Sequence, residues 1–241
     1  MPNELWRSFY RTEAERYEIA RYGSKYGRAF RVAHRRLVSE MLLHRGVGEC
    51  AVDVASGTGQ LLPCLMTRAD RVIACDLTPE MLLVSRQAQG NERVAYVQAD
   101  ALRLPFPDAS FDMAVSSRFL HLFPLEQQTK ILAELRRILR PGGMVVVDFY
   151  NRHPRQLLGP AIRVYRWLTR RRRENDTYNT PAQVIAMLRA AGLSPMVAAG
   201  VGSYFLAPLL WLPQKWLSRL MSRGVFVNRY MAEQWVVAAH R

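Results

Sequence analysis

Two glycines stand at a predicted strand-to-helix turn, where they would bring a small ligand close to the backbone. An apolar run ends at Asp53-Val54, and Gly57 and Gly59 follow just before a stretch with a helical pattern. Glycine has no Cβ to obstruct a ligand, and the first N–H groups of a helix are free to bind one. We therefore expect a ligand-binding loop here, with Asp53 at its start.

This loop differs from the two common phosphate-binding motifs. The dinucleotide motif GxGxxG, begun at Gly57, needs glycine or alanine where the chain has Leu62, whose side chain would hinder the close packing that the motif requires. A P-loop needs a GK[ST] sequence, and none follows Gly59. A nicotinamide-dependent oxidoreductase and a P-loop phosphate site are therefore disfavoured.

Acidic residues recur at the ends of successive apolar runs. Asp76 ends the second run, 23 positions after Asp53, and Asp100 follows the third run after another 24 positions. Ligands of open parallel sheets bind at the carboxyl ends of the strands, where the strand order reverses. We expect these three carboxylates to line one edge of a sheet.

The elements that must position these residues alternate between apolar runs and helical patterns. Helices are expected near 58–68, 79–89 and 126–139, the last stopping at the Pro-Gly-Gly turn of 141–143. Repeated βα units predict an α/β fold with a doubly wound, mostly parallel, seven-stranded sheet covered by helices. The first five strands are expected at 50–55, 71–76, 94–97, 111–116 and 144–149.

The two ends of the chain add further elements to this core. We find neither internal repeats nor a Gly/Ser linker, so a single domain over 1–241 is expected, with a helical cap (1–46), a cofactor-binding core (47–150) and substrate-side helices with the last two strands (151–241). The added helices are expected at 3–20, 28–45, 154–173 and 180–192, and late strands at 195–201 and 234–239 with a helical insertion between them.

The chain is strongly basic, and the charge is unevenly distributed. Lys and Arg number 34 against 20 Asp and Glu, which gives a net charge of +14, and the excess lies outside residues 51–150. Such flanks attract phosphates, nucleic acid or anionic lipid without fixing a function.

Cysteine usage and the chain ends bear on location. Cys50, Cys64 and Cys75 lack CxxC or His-adjacent metal spacing, so we expect reduced cysteines, no metal site and a cytoplasmic protein. The N-terminus is charged throughout, unlike a signal peptide. Residues 190–214 carry no charge but are interrupted by prolines and glycines, so a membrane-spanning helix is not expected.

Taken in order, these motifs resemble those of the class I S-adenosylmethionine-dependent methyltransferases. Within that family the chain is most similar to the branch of the ubiquinone/menaquinone-biosynthesis C-methyltransferases. Ala55 stands in place of the first glycine of the broader family's loop, a change this branch tolerates. The similarity covers roughly residues 45–150 and is carried by Asp53–Gly59, Cys75–Leu82, Asp100–Phe106, Ser110–Asp112 and Leu135–Gly143.

The resemblance implies S-adenosyl-L-methionine as the cofactor, a sulfonium cation without phosphates that suits a site rich in carboxylates. Asp76 is then expected to accept hydrogen bonds from both ribose hydroxyls, and Asp100 from the adenine amine. The alternative is that these acids only cap neighbouring helices, most readily in the case of Asp53. The expected cofactor contacts are Asp53, Ala55, Ser56, Gly57, Gly59, Asp76, Leu77, Met81, Asp100, Ala101, Leu102 and Ser117.

Methyl transfer is an in-line displacement in which positioning supplies about 7–11 kcal/mol, and a base is needed only for a hydroxyl or an activated ring carbon. His121 lies just beyond the fourth strand and is the best candidate base, although it could simply wall the pocket. Arg118 could pair with a substrate anion or stay solvated, and Tyr10 and Tyr22 could close over the pocket or only pack. No partner pattern marks the other histidines, interpreted as surface or core residues: His34, His44, His153 and His240.

The predicted reaction is methyl transfer to carbon or oxygen of a small-molecule or lipid-like acceptor, such as a quinol or phenol. Within 206–223, Lys215, Arg219 and Arg223 fall on one side of a predicted helix whose other side is apolar. We expect this segment to contact an anionic membrane at its inner face, or else to pack on its own domain.

Two other function classes remain open at this stage. The run Arg170–Arg173 could grip the phosphates of tRNA or rRNA, which would make the protein an RNA methyltransferase, although a charge run is more often a solvated face. A non-catalytic protein that retains the methyltransferase fold is the other alternative, because no obligatory catalytic residue marks the family.

Overall fold

A seven-stranded sheet forms the centre of the molecule, in a computed structural model that describes residues 10–160, 176–223 and 231–241. The strand order is β3-β2-β1-β4-β5-β7-β6, and β7 runs antiparallel to both of its neighbours while β1–β5 are parallel. This confirms the predicted α/β, doubly wound fold. The strands are β1 (Gly48–Val54), β2 (Ala69–Asp76), β3 (Val94–Gln98), β4 (Phe111–Ser116), β5 (Leu139–Tyr150), β6 (Ser194–Val201) and β7 (Gln234–His240).

Helices cover both faces of the sheet. Alternate residues of a strand point to opposite faces, so Met144 and Val146 join one apolar core while Val145 and Val147 join the other. The helices are α1 (Tyr17–Tyr22), α2 (Lys25–Leu42), α3 (Leu62–Met66), α4 (Pro79–Gln89), α5 (Leu125–Ile138), α6 (Arg152–Leu157), α7 (Pro181–Ala190) and α8 (Gln214–Arg223), with short 3-10 helices at Leu120–Leu122 and Tyr204–Leu209.

The cap helix α2 lies across one face of the sheet. Its N-terminus is capped by Ser24, whose hydroxyl accepts from the backbone N–H of Gly27 at 2.9 Å. Its buried stripe includes Phe30, Leu37 and Met41, which share an apolar core with Leu217 and Met221 of α8. The cap and the late insertion therefore pack on the same face of the sheet.

Sequence patterning located most elements, and the differences are local. The helix expected at 58–68 is limited to α3, because the glycine loop occupies the preceding residues. Residues 141–143, expected as a turn, lie inside the longer strand β5. Of the helix expected at 154–173, the structure gives α6; the stretch 161–175, and Arg170–Arg173 with it, lies outside the described residues, as do residues 1–9.

The described helices also bear on membrane insertion. None in the described ranges is both long and apolar enough to cross a bilayer.

Asp112, at the start of β4, ties together the edge of the sheet opposite the ligand-binding loop. Its buried carboxylate accepts from the backbone N–H groups of Glu49 at 2.8 Å and Cys50 at 3.0 Å, and Arg140 lies 3.2 Å away. Burial raises the pKa of Asp112, but these hydrogen bonds and the arginine outweigh it, so the net pKa is lowered. The charged form therefore stabilises the junction of β1, β4 and β5.

Replacement of Asp112 by asparagine should reduce the free energy of unfolding by about 1–3 kcal/mol, since buried donors lose a charged acceptor. Because the folded pKa is depressed, the contribution is present above the ordinary Asp pKa of about 4 and is lost as the pH falls below it. Urea titrations at neutral pH and near pH 3 should show a smaller loss on acidification in D112N than in the wild type. A change in exposed D108N as large as that in D112N would contradict this assignment.

Candidate functional site

A large cavity opens at the carboxyl ends of β1, β2 and β4, beneath α1 and α2. Its empty volume, which includes space open to solvent, is about 1140 Å³. The lining includes thirteen of the residues that the sequence pointed to, spread over residues 10–118: Tyr10, Tyr22, Asp53, Ala55, Ser56, Gly57, Asp76, Leu77, Met81, Asp100, Ala101, Ser117 and Arg118. The remaining three, Gly59, Leu102 and His121, lie off this lining.

Asp76 connects the end of β2 to the glycine loop. Its Oδ2 accepts from the N–H of Gly57 at 2.9 Å, and its Oδ1 accepts from the N–H of Thr78 at 2.8 Å. Burial raises the pKa of Asp76, and the backbone hydrogen bonds lower it only in part. A carboxylate oxygen can accept more than one hydrogen bond, so these contacts leave Asp76 able to accept from a ligand as well.

Asp53 is the second buried acid of the cavity, with 2% of its surface exposed. Burial raises its pKa well above the ordinary value, and the charge of Asp76 adds to the shift. Within the described ranges neither Asp53 nor Asp76 forms a salt bridge with a basic side chain. A cationic ligand would supply the missing positive charge and favour both ionised carboxylates.

The two loop glycines have different surroundings. Gly57 has φ +52° and a Cβ at this position would meet nothing within 4 Å, so the backbone borders open cavity. Gly59 has φ +78°, and a Cβ there would lie 2.9 Å from Leu62 Cδ1 and against Ser85 Oγ. Gly57 is therefore exposed to a ligand, whereas Gly59 permits close packing of the loop on α3 and α4.

Asp100 follows β3, the strand that pairs with β2, and β2 ends at Asp76. Asp100 Oδ1 accepts from the N–H of Leu102 at 2.9 Å, which holds the turn that presents Asp100 and Ala101 to the cavity. The backbone of Leu102 thus shapes this turn, and its side chain packs against the apolar core that contains Val145 and Val147.

His121 turns away from the cavity into the protein. Its ring stacks on Tyr150 with centroids 3.9 Å apart and planes 7° apart, and its Nε2 lies 3.9 Å from Asp176 Oδ1. Burial lowers the pKa of His121 to about 3, with Arg118 among the charges that add to the effect. The neutral, stacked ring fits the walling alternative better than a base in contact with substrate, although its role stays a prediction.

Arg118 is held inside the cavity in an uncommon backbone conformation. Its φ is +54°, and its N–H donates to Asp148 Oδ1 at 2.7 Å. Its guanidinium donates to the hydroxyl of Tyr22 at 2.8 Å and lies 5.2 Å from the centroid of that ring, while its Nε is buried without a hydrogen-bond partner among the described residues. A buried guanidinium paired with a phenol rather than a carboxylate can receive an anionic oxygen.

Sequence reasoning missed several residues of this lining, among them His34. His34, interpreted as a surface or core residue, lines the cavity, and its Nε2 lies 2.9 Å from Asp148 Oδ2. The available signals were a polar residue on the apolar stripe of a helix and an acid inside the apolar run 144–149 of β5. Neither signal identifies the other residue as its partner.

Comparison with known proteins places the chain among methyltransferases. The methyltransferase-domain family matches residues 52–147. A demethylmenaquinone methyltransferase of Thermobifida fusca is 35% identical over 63% of this chain and 68% of its own length. One from Thermus thermophilus is 40% identical over 47% of this chain and 53% of its own length. The chain spans about half the length of several curated relatives.

Solved structures match the fold over its full extent. The magnesium protoporphyrin IX methyltransferase of Synechocystis, solved with bound S-adenosylhomocysteine, superposes with a TM-score of 0.67, covering 100% of both chains at 14% identity. Such low identity supports the architecture alone. With the Thermobifida relative and the domain match, it follows that the chain belongs to the class I S-adenosylmethionine-dependent methyltransferases, in the branch of the demethylmenaquinone and ubiquinone/menaquinone C-methyltransferases.

Proposed function

We propose that this protein binds S-adenosylmethionine in the cavity and transfers its methyl group to carbon or oxygen of a small-molecule or lipid-like acceptor. The observation that carries the proposal is the pair of buried acids, Asp53 and Asp76, beside a glycine loop in a cavity without a basic partner for them among the described residues. When bound, the cofactor supplies a methyl group on a sulfonium cation, and it has hydroxyls and an ammonium group that carboxylates can bind.

The lining residues fit the parts of this cofactor in turn. The Asp76 oxygens, already anchored to the loop, would accept from the ribose hydroxyls. Asp100 and Ala101 border the side of the cavity that suits adenine, with Met81 as an apolar wall. Asp53 would bind the amino-acid portion, where Gly57 lets the ligand approach the backbone. These residues hold and orient the cofactor without themselves taking part in bond making.

The acceptor would occupy the part of the cavity between the cap and the end of β4. Aromatic rings of Tyr10 and Tyr22 line it, and Arg118 contributes a buried positive charge. Burial raises the pKa of Tyr10, so its hydroxyl stays protonated. A flat ring bearing an acidic hydroxyl, such as a phenol or quinol, matches this mixture, and the names of the relatives support the same class. A methyl-release screen across quinols, phenols, lipids and tRNA tests the proposal.

We further propose that the insertion 206–223 contacts an anionic membrane surface. Trp211 and Trp216 are 74% and 56% exposed, and the guanidinium of Arg219 lies 5.4 Å from the Trp216 ring. Leu217, the next residue of α8, is fully buried. Exposed tryptophans with neighbouring cations are typical of an interfacial helix. The insertion follows the carboxyl end of β6, at the same sheet edge as the cavity, where a lipid-like acceptor would enter.

The first expectation concerns Asp76. D76N should weaken binding of S-adenosylhomocysteine by about 1–3 kcal/mol, roughly 5- to 150-fold, because ribose hydroxyls lose a charged acceptor. Isothermal titration calorimetry measures the affinity, and D70N provides a matched exposed acid on the same strand. Wild-type affinity in D76N would show that the ribose assignment is wrong.

The second expectation separates the two loop glycines. G57A should lower S-adenosylhomocysteine affinity about tenfold or more. Its melting temperature should fall only slightly, because the loss of stability is limited to the cost of an alanine in the left-handed conformation, about 1–2 kcal/mol. G59A should instead lower the melting temperature more strongly, because its Cβ would clash with Leu62 and Ser85. The reverse ranking of the two variants in calorimetry and thermal melts would refute the placement of the ligand.

The third expectation concerns the membrane surface. Co-sedimentation with phosphatidylglycerol/phosphatidylcholine vesicles should exceed that with phosphatidylcholine alone, and K215E/R219E should lose at least about 2 kcal/mol of binding, near 30-fold. W211A/W216A should also bind less, whereas R86E/R93E reverses two exposed charges elsewhere and should bind more tightly than K215E/R219E. Equal sedimentation of the two charge-reversed proteins would exclude this surface.

A further inference from the structure

Three residues from distant parts of the chain meet at the acceptor side of the cavity. His34 Nε2 lies 2.9 Å from Asp148 Oδ2, and the hydroxyl of Ser117 donates to the same oxygen at 2.6 Å. The side chains of His34 and Asp148 are 7% and 1% exposed. His34 and Ser117 both line the cavity, so the pair is buried in the protein yet borders the site.

Asp148 is held as a carboxylate. Its two oxygens accept from His34, from Ser117 and, at 2.7 Å, from the N–H of Arg118. Burial raises the pKa of Asp148, but these donors outweigh burial, so the pKa is lowered. An ionised carboxylate only accepts hydrogen bonds, which requires the hydrogen of a neutral His34 ring to be on Nε2.

This tautomer leaves Nδ1 of His34 without a hydrogen and therefore able to accept one. The ring is oriented by stacking on Phe30, with centroids 5.9 Å apart and planes 19° apart. A carboxylate on the far nitrogen fixes the tautomer of a histidine base and stabilises the imidazolium that forms when it takes a proton. His121, in contrast, is stacked on Tyr150 off the cavity lining.

We propose that His34, oriented by Asp148, is the base that takes the proton from a hydroxyl of the methyl acceptor, which makes the acceptor class a hydroxylated compound. The inference rests on the proposed function. The O–H bond of the acceptor breaks and its proton passes to Nδ1. The electron pair left on oxygen forms the new O–CH₃ bond, or it is delocalised so that a ring carbon forms the new C–CH₃ bond and then loses its hydrogen as a proton. In either case the S–CH₃ bond breaks with its electron pair left on sulfur. His34 then returns the proton to solvent.

A binding measurement and a ring-tautomer measurement test the pair without an acceptor. Nitrogen-15 NMR of the histidine rings, with H34Q for assignment, should show a neutral His34 with hydrogen on Nε2 at neutral pH, and D148N should lose that preference. Calorimetry should give S-adenosylhomocysteine affinities within about twofold of wild type for H34Q and D148N. Hydrogen on Nδ1, a doubly protonated ring at neutral pH, or loss of cofactor binding in H34Q would each overturn the inference.

The kinetic test uses the hydroxylated acceptor that the methyl-release screen identifies. H34Q should reduce kcat by about 10²- to 10⁴-fold, the usual contribution of a general base. D148N should reduce it less, and exposed H44Q should leave it unchanged.

The outcomes separate the two proposals. Unchanged kcat in folded H34Q would overturn the role of His34 while leaving methyl transfer intact. If the wild type binds S-adenosylhomocysteine but methylates no acceptor in the screen, the proposed function fails and the role of His34 as a base fails with it, while the tautomer measurement still shows whether His34 and Asp148 form the hydrogen-bonded pair. Circular dichroism and thermal melts establish that each variant is folded, and S117A offers a milder change to the same carboxylate if D148N does not fold.

Discussion

The site depends on how the chain accommodates two buried acids at neighbouring strand ends. Val54 of β1 is paired with Cys75 of β2, so the loop that follows β1 and the carboxylate that ends β2 must meet. Asp76 satisfies this arrangement by accepting two backbone N–H groups, one from each segment. Asp53 lies deeper, with burial opposing its charge. A bound cation would compensate the negative charge of the two buried carboxylates, because each would then have a positive charge nearby.

The cofactor half of the cavity was predictable because its signals are local. Each strand run, its terminal acid and the following glycines lie within a few residues of one another, and parallel strands bring such ends to one edge whatever the rest of the chain does. The sheet and the lining residues Asp53, Gly57 and Asp76 followed from this logic. Helix boundaries were less well predicted, because the loop before α3 takes residues that a periodic pattern would assign to the helix.

The acceptor half was not predictable to the same extent, because its contacts are non-local. His34 and Asp148 are separated by 114 positions, and only the docking of α2 across the sheet brings them together. His121 was expected on the cavity because it follows β4, but the 3-10 turn of Leu120–Leu122 directs its ring toward Tyr150. The direction in which a side chain points after a strand end is set by such turns. The spacing of residues in the sequence does not predict it.

The two halves of the cavity differ in how much of each lies within the matched family domain. The match to the methyltransferase-domain family spans 52–147, which includes the acids that would bind the cofactor but excludes His34 and Asp148. Ser117 and Arg118 lie inside that range and touch both halves, since Arg118 binds Asp148 through its N–H and Tyr22 through its guanidinium. A substitution in the cap can therefore alter the part of the cavity near His34 while the residues around the glycine loop keep their positions. Among the described residues, the short segment after β4 is one support that both parts share.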